Sequence, residues 1–205
     1  MEQNKEMTAQ ESLRLITETM NNNRREIVRQ SGKYFVMWGI LLAVFSLLVY
    51  ILWKTTGKAA WNNIWFALPA IGFPLSKLLK NKENPAHVEN FISRMNGGIW
   101  GTFGLFACSV ALFSVLYGVI DDNPLANIVV GASLTAMIVL LFGMAETISG
   151  ITLKNWAIKI AGWITGIGGV AIYYITGANQ EQMLIFTFAG IVLAATGLIV
   201  KHQYK

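Results

Sequence analysis

Charged side chains are scarce in this chain of 205 residues. Asp, Glu, Lys and Arg make up 13% of the sequence, whereas 54% of the residues are hydrophobic, and a soluble domain usually carries about 25% charged residues. Between Met95 and Glu146 the only charged residues are Asp121 and Asp122. This composition excludes a soluble enzyme, a nucleic-acid-binding domain and a disordered chain, which requires low hydrophobicity. It predicts an integral membrane protein.

Cysteine and histidine are also nearly missing. Cys108 is the single cysteine, so one chain can form neither an internal disulfide nor a dithiol redox centre. The two histidines, His87 and His202, lie in polar segments, and no charged residue falls in the middle of an apolar stretch. Metal centres and catalytic serines need such groups to converge on one point. We therefore predict no cofactor, no metal site and no enzymatic activity.

Six apolar stretches are long enough to cross a bilayer, which takes about 20 residues of helix. The predicted fold is an all-α bundle of six transmembrane helices arranged as three hairpins, over residues 34–200. A cytoplasmic amphipathic segment (1–33) precedes the bundle, and a short cytoplasmic tail (201–205) follows it. The predicted spans are Tyr34–Trp53, Trp61–Leu79, Gly97–Val119, Leu125–Glu146, Trp156–Tyr174 and Met183–Val200.

The distribution of Lys and Arg predicts the orientation of these spans. Fourteen of the 16 basic residues lie in the N-terminal segment, the second and fourth connections and the tail, whereas the other connections hold only Lys54 and Lys58. Since cytoplasmic loops carry the excess of basic residues, both termini are predicted to be cytoplasmic. The basic residues are then expected to contact anionic lipid headgroups rather than nucleic acid.

Two amphipathic helices are predicted outside the spans. The first begins with a capping box at Thr8–Glu11, and the asparagines at 21–23 are expected to weaken it. A second helix is expected to start at Asn84-Pro85. Both are predicted to lie on the membrane or on the bundle, and the first is a candidate contact for a protein partner. Its apolar stripe consists of Leu13, Ile16 and Met20.

Two prolines interrupt the second predicted span. Pro69 and Pro74 flank Gly72, and each proline removes one backbone hydrogen bond of a helix. These three residues are a candidate hinge or the lining of a solute path. A static kink, satisfied by a neighbouring hydroxyl, explains the same pattern.

Glu146 is the ionisable residue of greatest interest, because it ends the fourth predicted span. Lys159 lies about one turn into the fifth span, so the two are predicted to pair at an inner mouth that could bind or gate a cation. The alternative is an interfacial carboxylate with basic neighbours that snorkel to the surface. Asp121-Asp122 is interpreted as a turn and helix cap rather than a calcium site.

Small residues four apart are predicted to let helices approach closely. The pairs are Gly97 with Gly101 and Gly162 with Gly166. Such pairs either pack helices within the bundle or join two copies into a homo-oligomer, and both remain open.

Three short motifs stand out in the sequence: Glu11-Ser12-Leu13 with Ile16, Trp38-Gly39, and the stretch from Gly143 through Gly150-Ile151 to Lys154. These motifs resemble an uncharacterised family of small six-helix bacterial membrane proteins. The resemblance implies a bacterial cytoplasmic membrane and no established activity, and it carries over no catalytic residue. We therefore expect a non-enzymatic protein with a regulatory, sensory or assembly role, or alternatively a small permease or channel for a neutral or lipid-like solute.

Overall fold

The computed structural model describes residues 8–83, 91–120, 124–176 and 179–204, and these residues form helices and short connections without any strand. The predicted all-α class is thus confirmed. The elements are α1 (Ala9–Thr56), a 3-10 helix (Ala59–Phe66), α2 (Ala67–Glu83), α3 (Phe91–Ile120), α4 (Pro124–Leu153), α5 (Trp156–Trp163), a π-helix (Ile164–Gly168), α6 (Gly169–Thr176), a 3-10 turn (Gln180–Gln182) and α7 (Met183–Gln203).

Five helical stretches of the described chain are long and apolar enough to cross a membrane. They lie within α1, at Phe91–Ser114 in α3, at Leu134–Leu153 in α4, at Trp156–Ile175 and at Gln180–Gln203. The second predicted span, Trp61–Leu79, coincides with the 3-10 helix and α2. It is helical throughout, but the regular α-helix α2, which extends past the end of this span, is only 17 residues long.

Helix α1 runs without interruption from the polar N-terminal segment into the first predicted span. The capping box forms as predicted, since the Thr8 hydroxyl accepts from the Glu11 N–H and the Glu11 carboxylate accepts from the Thr8 N–H. The asparagines at 21–23 do not break the helix, because one Asn disfavours it by well under about 1 kcal/mol relative to Ala. Gly57 ends the helix at a φ of 69°, which glycine adopts without strain.

The most extensive helix contact is that of α1 with α7, and glycines on both helices bring the two backbones together. A β-carbon at Gly39 would lie 2.6 Å from the carbonyl oxygen of Gly190, and one at Gly197 would lie 2.5 Å from that of Gly32. Further along, the hydroxyls of Ser46 and Thr187 share a hydrogen bond of 2.8 Å. This pairing joins the first and last helices of the described chain, a contact that the prediction of three hairpins does not include.

Helix α3 packs mainly on α4 and leaves much of its own surface open. Its anchor is a cluster of edge-to-face rings in which Trp100 of α3 contacts Phe35 of α1 and Phe142 of α4, with centroids 5.7 and 5.6 Å apart. The start of the second amphipathic helix at Asn84-Pro85, His87 and the turn at Asp121-Asp122 lie outside the described residues.

A tight connection joins α4 to α5 and holds them antiparallel. Lys154 turns the chain with a φ of 51°. Asn155 then caps α5, because its side-chain oxygen accepts from the Ile158 N–H, while its amide donates to Gln203 at the end of α7 over 3.1 Å. The connection therefore fixes α4, α5 and α7 at one end of the bundle.

Candidate functional site

Glu146 of α4 lies in the interior of the bundle. Its side chain is 0% exposed. Both carboxylate oxygens are buried without a hydrogen-bond partner. Burying a carboxyl group without partners is costly, because neither water nor protein replaces the lost hydration. Such a residue inside a membrane helix marks a candidate functional site.

Two hydroxyl groups share this environment. Ser149 lies one turn along the same face of α4, and Thr165 of the π-helix borders the Glu146 carboxyl. Both residues are 0% exposed, and neither hydroxyl meets the geometry of a hydrogen bond. Ser46 is equally buried but is paired with Thr187. Glu146, Ser149 and Thr165 are hereafter called the polar cluster.

Close contact between the backbones of α4 and α5 encloses the polar cluster. A β-carbon at Gly162 would lie 2.6 Å from the Gly143 carbonyl oxygen, and one at Gly166 would lie 3.4 Å from the Gly143 Cα. Two turns further along α4, a β-carbon at Gly150 would lie 2.6 Å from the Lys159 Cα. Apart from the Thr147 hydroxyl, which lies against Gly162, these contacts are between backbones. The two helices are therefore packed closely, and Thr165 is held beside the Glu146 carboxyl.

The π-helix at Ile164–Gly168 interrupts an otherwise α-helical stretch at the polar cluster. π-turns are rare and occur disproportionately at functional sites. The local sequence favours such a departure, because Gly166, Gly168 and Gly169 weaken the α-helix. The wider turn places Thr165 and Gly166 against α4, where both are buried.

The predicted ion pair between Glu146 and Lys159 does not form. The Lys159 ammonium instead lies 5.2 Å from the centroid of the Trp163 ring, one turn along the same helix. A basic side chain near a helix end gains more from an aromatic face and from water than from entering the buried interior. Glu146 is thus placed in the core rather than at an open inner mouth.

The predicted small-residue pairs separate into two classes. Gly162 and Gly166 lie in the seam with α4, so they pack helices within one chain. Gly97 and Gly101 lie on the open side of α3, where a β-carbon at either position would meet nothing within 4 Å. The residues of that second pair therefore make no helix contact among the described residues.

The predicted hinge is occupied by a tryptophan. Trp38 of α1 covers Gly72, where a β-carbon would overlap the indole ring. The indole N–H donates to the Ser76 hydroxyl over 3.1 Å, and this hydroxyl donates to the Gly72 carbonyl over 2.8 Å. Pro69 lies in the first turn of α2, where a missing N–H matters least, whereas Pro74 lies inside it. Gly72 thus forms a contact with α1, whereas Pro74 is exposed.

A second candidate surface is the N-terminal part of α1, residues 9–26, hereafter called the arm. Its side chains are almost all exposed, and burial against the bundle begins at Ile27 and Val28. The predicted apolar stripe is exposed, with Leu13, Ile16 and Met20 at 64%, 57% and 52%. At the base of the arm, hydrogen bonds from Arg29 hold the pKa of the Glu26 carboxyl below its usual value.

Sequence reasoning missed Ser149, Thr165 and the π-helix. A serine or threonine in an apolar helix commonly bonds to its own backbone, as Thr196 does to the Val192 carbonyl. The type of residue therefore does not reveal a hydroxyl without a partner. The available signal was the run of glycines after Thr165, which predicts an irregular helix.

Comparisons with protein-family models, with curated proteins and with solved structures give no match to this chain.

Proposed function

We propose that this protein is a multi-pass protein of a bacterial cytoplasmic membrane, with six transmembrane helices and both termini in the cytoplasm. Support comes from the 14-to-2 distribution of basic residues between alternate connections and from the five qualifying helices. The 3-10 helix and α2 together supply roughly 40 Å of helical path, at about 2.0 and 1.5 Å per residue, which suffices for a sixth crossing.

The topology is tested with reporter fusions. A reporter that is active only in the cytoplasm, fused after Tyr204, should be active, whereas the same reporter fused after Gly57 should be silent. Activity at both points, or at Gly57 alone, would overturn the proposed orientation.

We further propose that the protein is not an enzyme and that it acts in regulation, sensing or assembly by binding a cytoplasmic protein partner through the arm. The observation that carries this proposal is the continuity of α1. Because one helix forms both the arm and the first span, the arm extends along the axis of the span instead of lying flat on the bilayer. Its apolar stripe is then presented to the cytoplasm, and displacement of the arm is transmitted directly to α7.

The test is a pull-down from native membranes with the full chain. The triple variant Leu13→Glu, Ile16→Glu and Met20→Glu should lose any specific partner, since it places three charges on the apolar stripe. The control variant Glu18→Ala, Thr19→Ala and Asn22→Ala alters other exposed positions of the same helix and should retain the partner.

The substitutions are confined to the arm because Ile27 and Val28 belong to the buried core. Any loss of binding would then not reflect an unfolded bundle, and an unchanged melting temperature of the triple variant would verify this. Recovery of the same partners with both triple variants would show that the arm is not the contact.

The second candidate function is a small permease or channel for a neutral or lipid-like solute. It is favoured by the polar cluster, which places unpaired oxygens beside an irregular helix in the interior. The test uses a single cysteine at Thr165 in a Cys108→Ser background. Labelling by a charged, water-soluble maleimide in intact membranes would support a water-filled path. Absence of labelling would contradict it.

A further inference from the structure

We propose that the polar cluster of Glu146, Ser149 and Thr165 is a binding site for one small monovalent metal cation. This inference goes beyond the proposed role of the arm and does not depend on it. It rests on three polar side chains that are fully buried and for which no hydrogen bond of good geometry is found. Thr165 borders the Glu146 carboxyl, and Ser149 lies three residues further along α4.

The chemistry of the donors suits a hard cation. The cluster supplies the two carboxylate oxygens of Glu146 and the hydroxyl oxygens of Ser149 and Thr165, and oxygen atoms are the ligands that alkali and alkaline-earth cations prefer. Hydroxyl groups bind such a cation through their lone pairs and need no deprotonation. All four oxygens are buried, and the one interaction found among them is between the Thr165 hydroxyl and the Glu146 carboxyl, so a bound cation would compensate oxygens that otherwise lack sufficient partners.

The charge of the cluster favours a monovalent cation over a divalent one. Glu146 contributes a single negative charge, so a monovalent cation would leave the buried site neutral, whereas a divalent cation would leave an uncompensated charge. Calcium sites usually combine several carboxylates with six to eight oxygens. Among the described residues, no group of three or more His, Cys, Asp or Glu converges.

Among the described residues, no basic side chain forms a salt bridge with Glu146. Lys159 follows Glu146 on the neighbouring helix but lies against Trp163. The carboxyl is therefore not neutralised by a salt bridge, although basic residues occur near the ends of the packed helices. These residues are Lys154 on the connection, Lys33 on α1, and Lys201 and His202 on α7.

The packing of the site limits the size of the ligand and suggests its route. The contact of Gly143 with Gly162 and Gly166 leaves no room for an organic cation along the seam. Glu146 lies seven residues before Leu153, the end of α4, which corresponds to about 10 Å of helix. A small cation would enter from that end, where Lys154 and Asn155 form the connection.

The test is the thermal stability of the purified full chain in NaCl, KCl and choline chloride at equal ionic strength. A ligand that binds only the folded protein raises Tm, and a cation at roughly ten times its Kd should raise Tm by about 3–6 °C for a chain of this size. Either Na⁺ or K⁺ should produce this rise, and choline should not. The rise should weaken on acidification, because protons compete for the same carboxylate.

Variants identify the site. Glu146→Gln keeps the shape of the side chain but removes its charge, and should abolish the cation-dependent rise. Thr165→Val should reduce it, and Thr165→Ser should restore it. The controls are Glu26→Gln, which removes a partly exposed carboxylate, and Thr187→Val, which removes a partly buried hydroxyl that is already paired with Ser46. Both controls should keep the full rise even if they lower the starting Tm.

Direct binding of ²²Na⁺ to the purified protein provides a readout that does not depend on the folding of variants. If KCl gives the larger rise in Tm, ⁸⁶Rb⁺ replaces ²²Na⁺ as the tracer for K⁺. We expect saturation near one ion per chain. The proposal would be overturned if the wild-type chain showed neither saturable binding nor a cation-specific rise in Tm. The polar cluster would then hold a protonated carboxyl only. An equal rise in the wild type and in Glu146→Gln would also overturn it.

Discussion

At the scale of single residues, the clearest departure from favourable packing is a carboxyl group that is 0% exposed. Some polar side chains of the interior find partners, as in the 2.8 Å hydrogen bond from Thr135 to Gln182. Glu146 does not. A buried polar group without a partner lowers the free energy of unfolding, and an apolar residue of similar volume is often neutral or stabilising at such a position.

This argument predicts the effect of Glu146→Met in choline chloride, where the proposed cation is absent. The variant should be at least as stable as the wild type, by up to about 1–3 kcal/mol, because it removes the unpaired oxygens and retains the side-chain volume. Glu146→Ala should instead lower stability, because it leaves a cavity. Thermal unfolding in detergent measures both effects. If Glu146→Met is strongly destabilised, the carboxyl has a structural partner that this argument omits.

Glycines provide a second prediction at this scale, because their surroundings differ between α1 and α3. Gly39→Ala should lower the free energy of unfolding by about 1–3 kcal/mol, since its β-carbon would overlap the α7 backbone near Gly190. Gly101→Ala should be neutral or stabilising by up to about 1 kcal/mol, since its β-carbon would meet nothing and alanine favours the helix. Thermal unfolding of the two variants in the same detergent compares their stabilities. Equal effects would contradict the close contact between the backbones of α1 and α7.

The sequence could predict part of this residue-scale detail. The spacing of Gly162 and Gly166 predicts close packing, and they lie in such a contact. Gly97 and Gly101 have the same spacing and lie on an open face. Spacing alone cannot separate them, because it says nothing about which face of a helix meets a neighbour. The same holds for Glu146. Its position at the end of an apolar stretch makes it a candidate, but only the structure shows that its side chain is buried without a partner.

At the scale of elements, the main difference from expectation is the length of α1. The sequence predicts an amphipathic segment and a first span as separate units, with a weakened helix near residues 21–23. In the structure they form one helix of 48 residues. Helix formation is cooperative, so a few residues of poor propensity inside a long helix do not end it. The capping box at Thr8 and the glycine at 57 define its two ends, and both ends carry residues that a sequence can reveal.

A continuous α1 predicts a fixed distance between the arm and the span. Spin labels on cysteines at the exposed positions Leu15 and Ile40, in a Cys108→Ser background, should give a narrow distance distribution. Its centre should lie near 37 Å, from 25 residues at about 1.5 Å each. Asn22→Pro should broaden the distribution and shorten its mean, because proline breaks a helix interior, whereas Asn22→Ala should leave it unchanged.

A broad distance distribution in the otherwise unmodified helix would mean that α1 has a joint within the arm. The arm would then no longer be rigidly coupled to α7, and the transmission of movement that the proposed function requires would fail. Melting temperature should not differ between Asn22→Pro and Asn22→Ala, because the arm lies outside the buried core.

At the scale of the whole molecule, the described helices are arranged around the α1–α7 pair. The sequence could predict the all-α class and most of the helices, because long apolar stretches have few alternatives in a bilayer. It could not predict that the first and last helices pair, since their approach depends on glycines that are far apart in the chain. The large apolar residues left outside this arrangement include Leu105, Phe106, Leu112 and Phe113 of α3, and a surface of this kind is expected to face lipid.

Cys108 makes that expectation testable, because it is the one cysteine of the chain and is exposed on α3. A nitroxide attached to Cys108 in detergent, followed by reconstitution into lipid vesicles, should collide often with dissolved oxygen, which concentrates in the bilayer, and rarely with a water-soluble nickel chelate. A label at Gly57→Cys in a Cys108→Ser background should show the reverse, since the end of α1 is predicted to lie in water. Frequent collision of the chelate with the label at Cys108 would mean that α3 borders water rather than lipid. In that case the open face of α3 would line an aqueous path, and the permease would become the better supported of the two candidate functions.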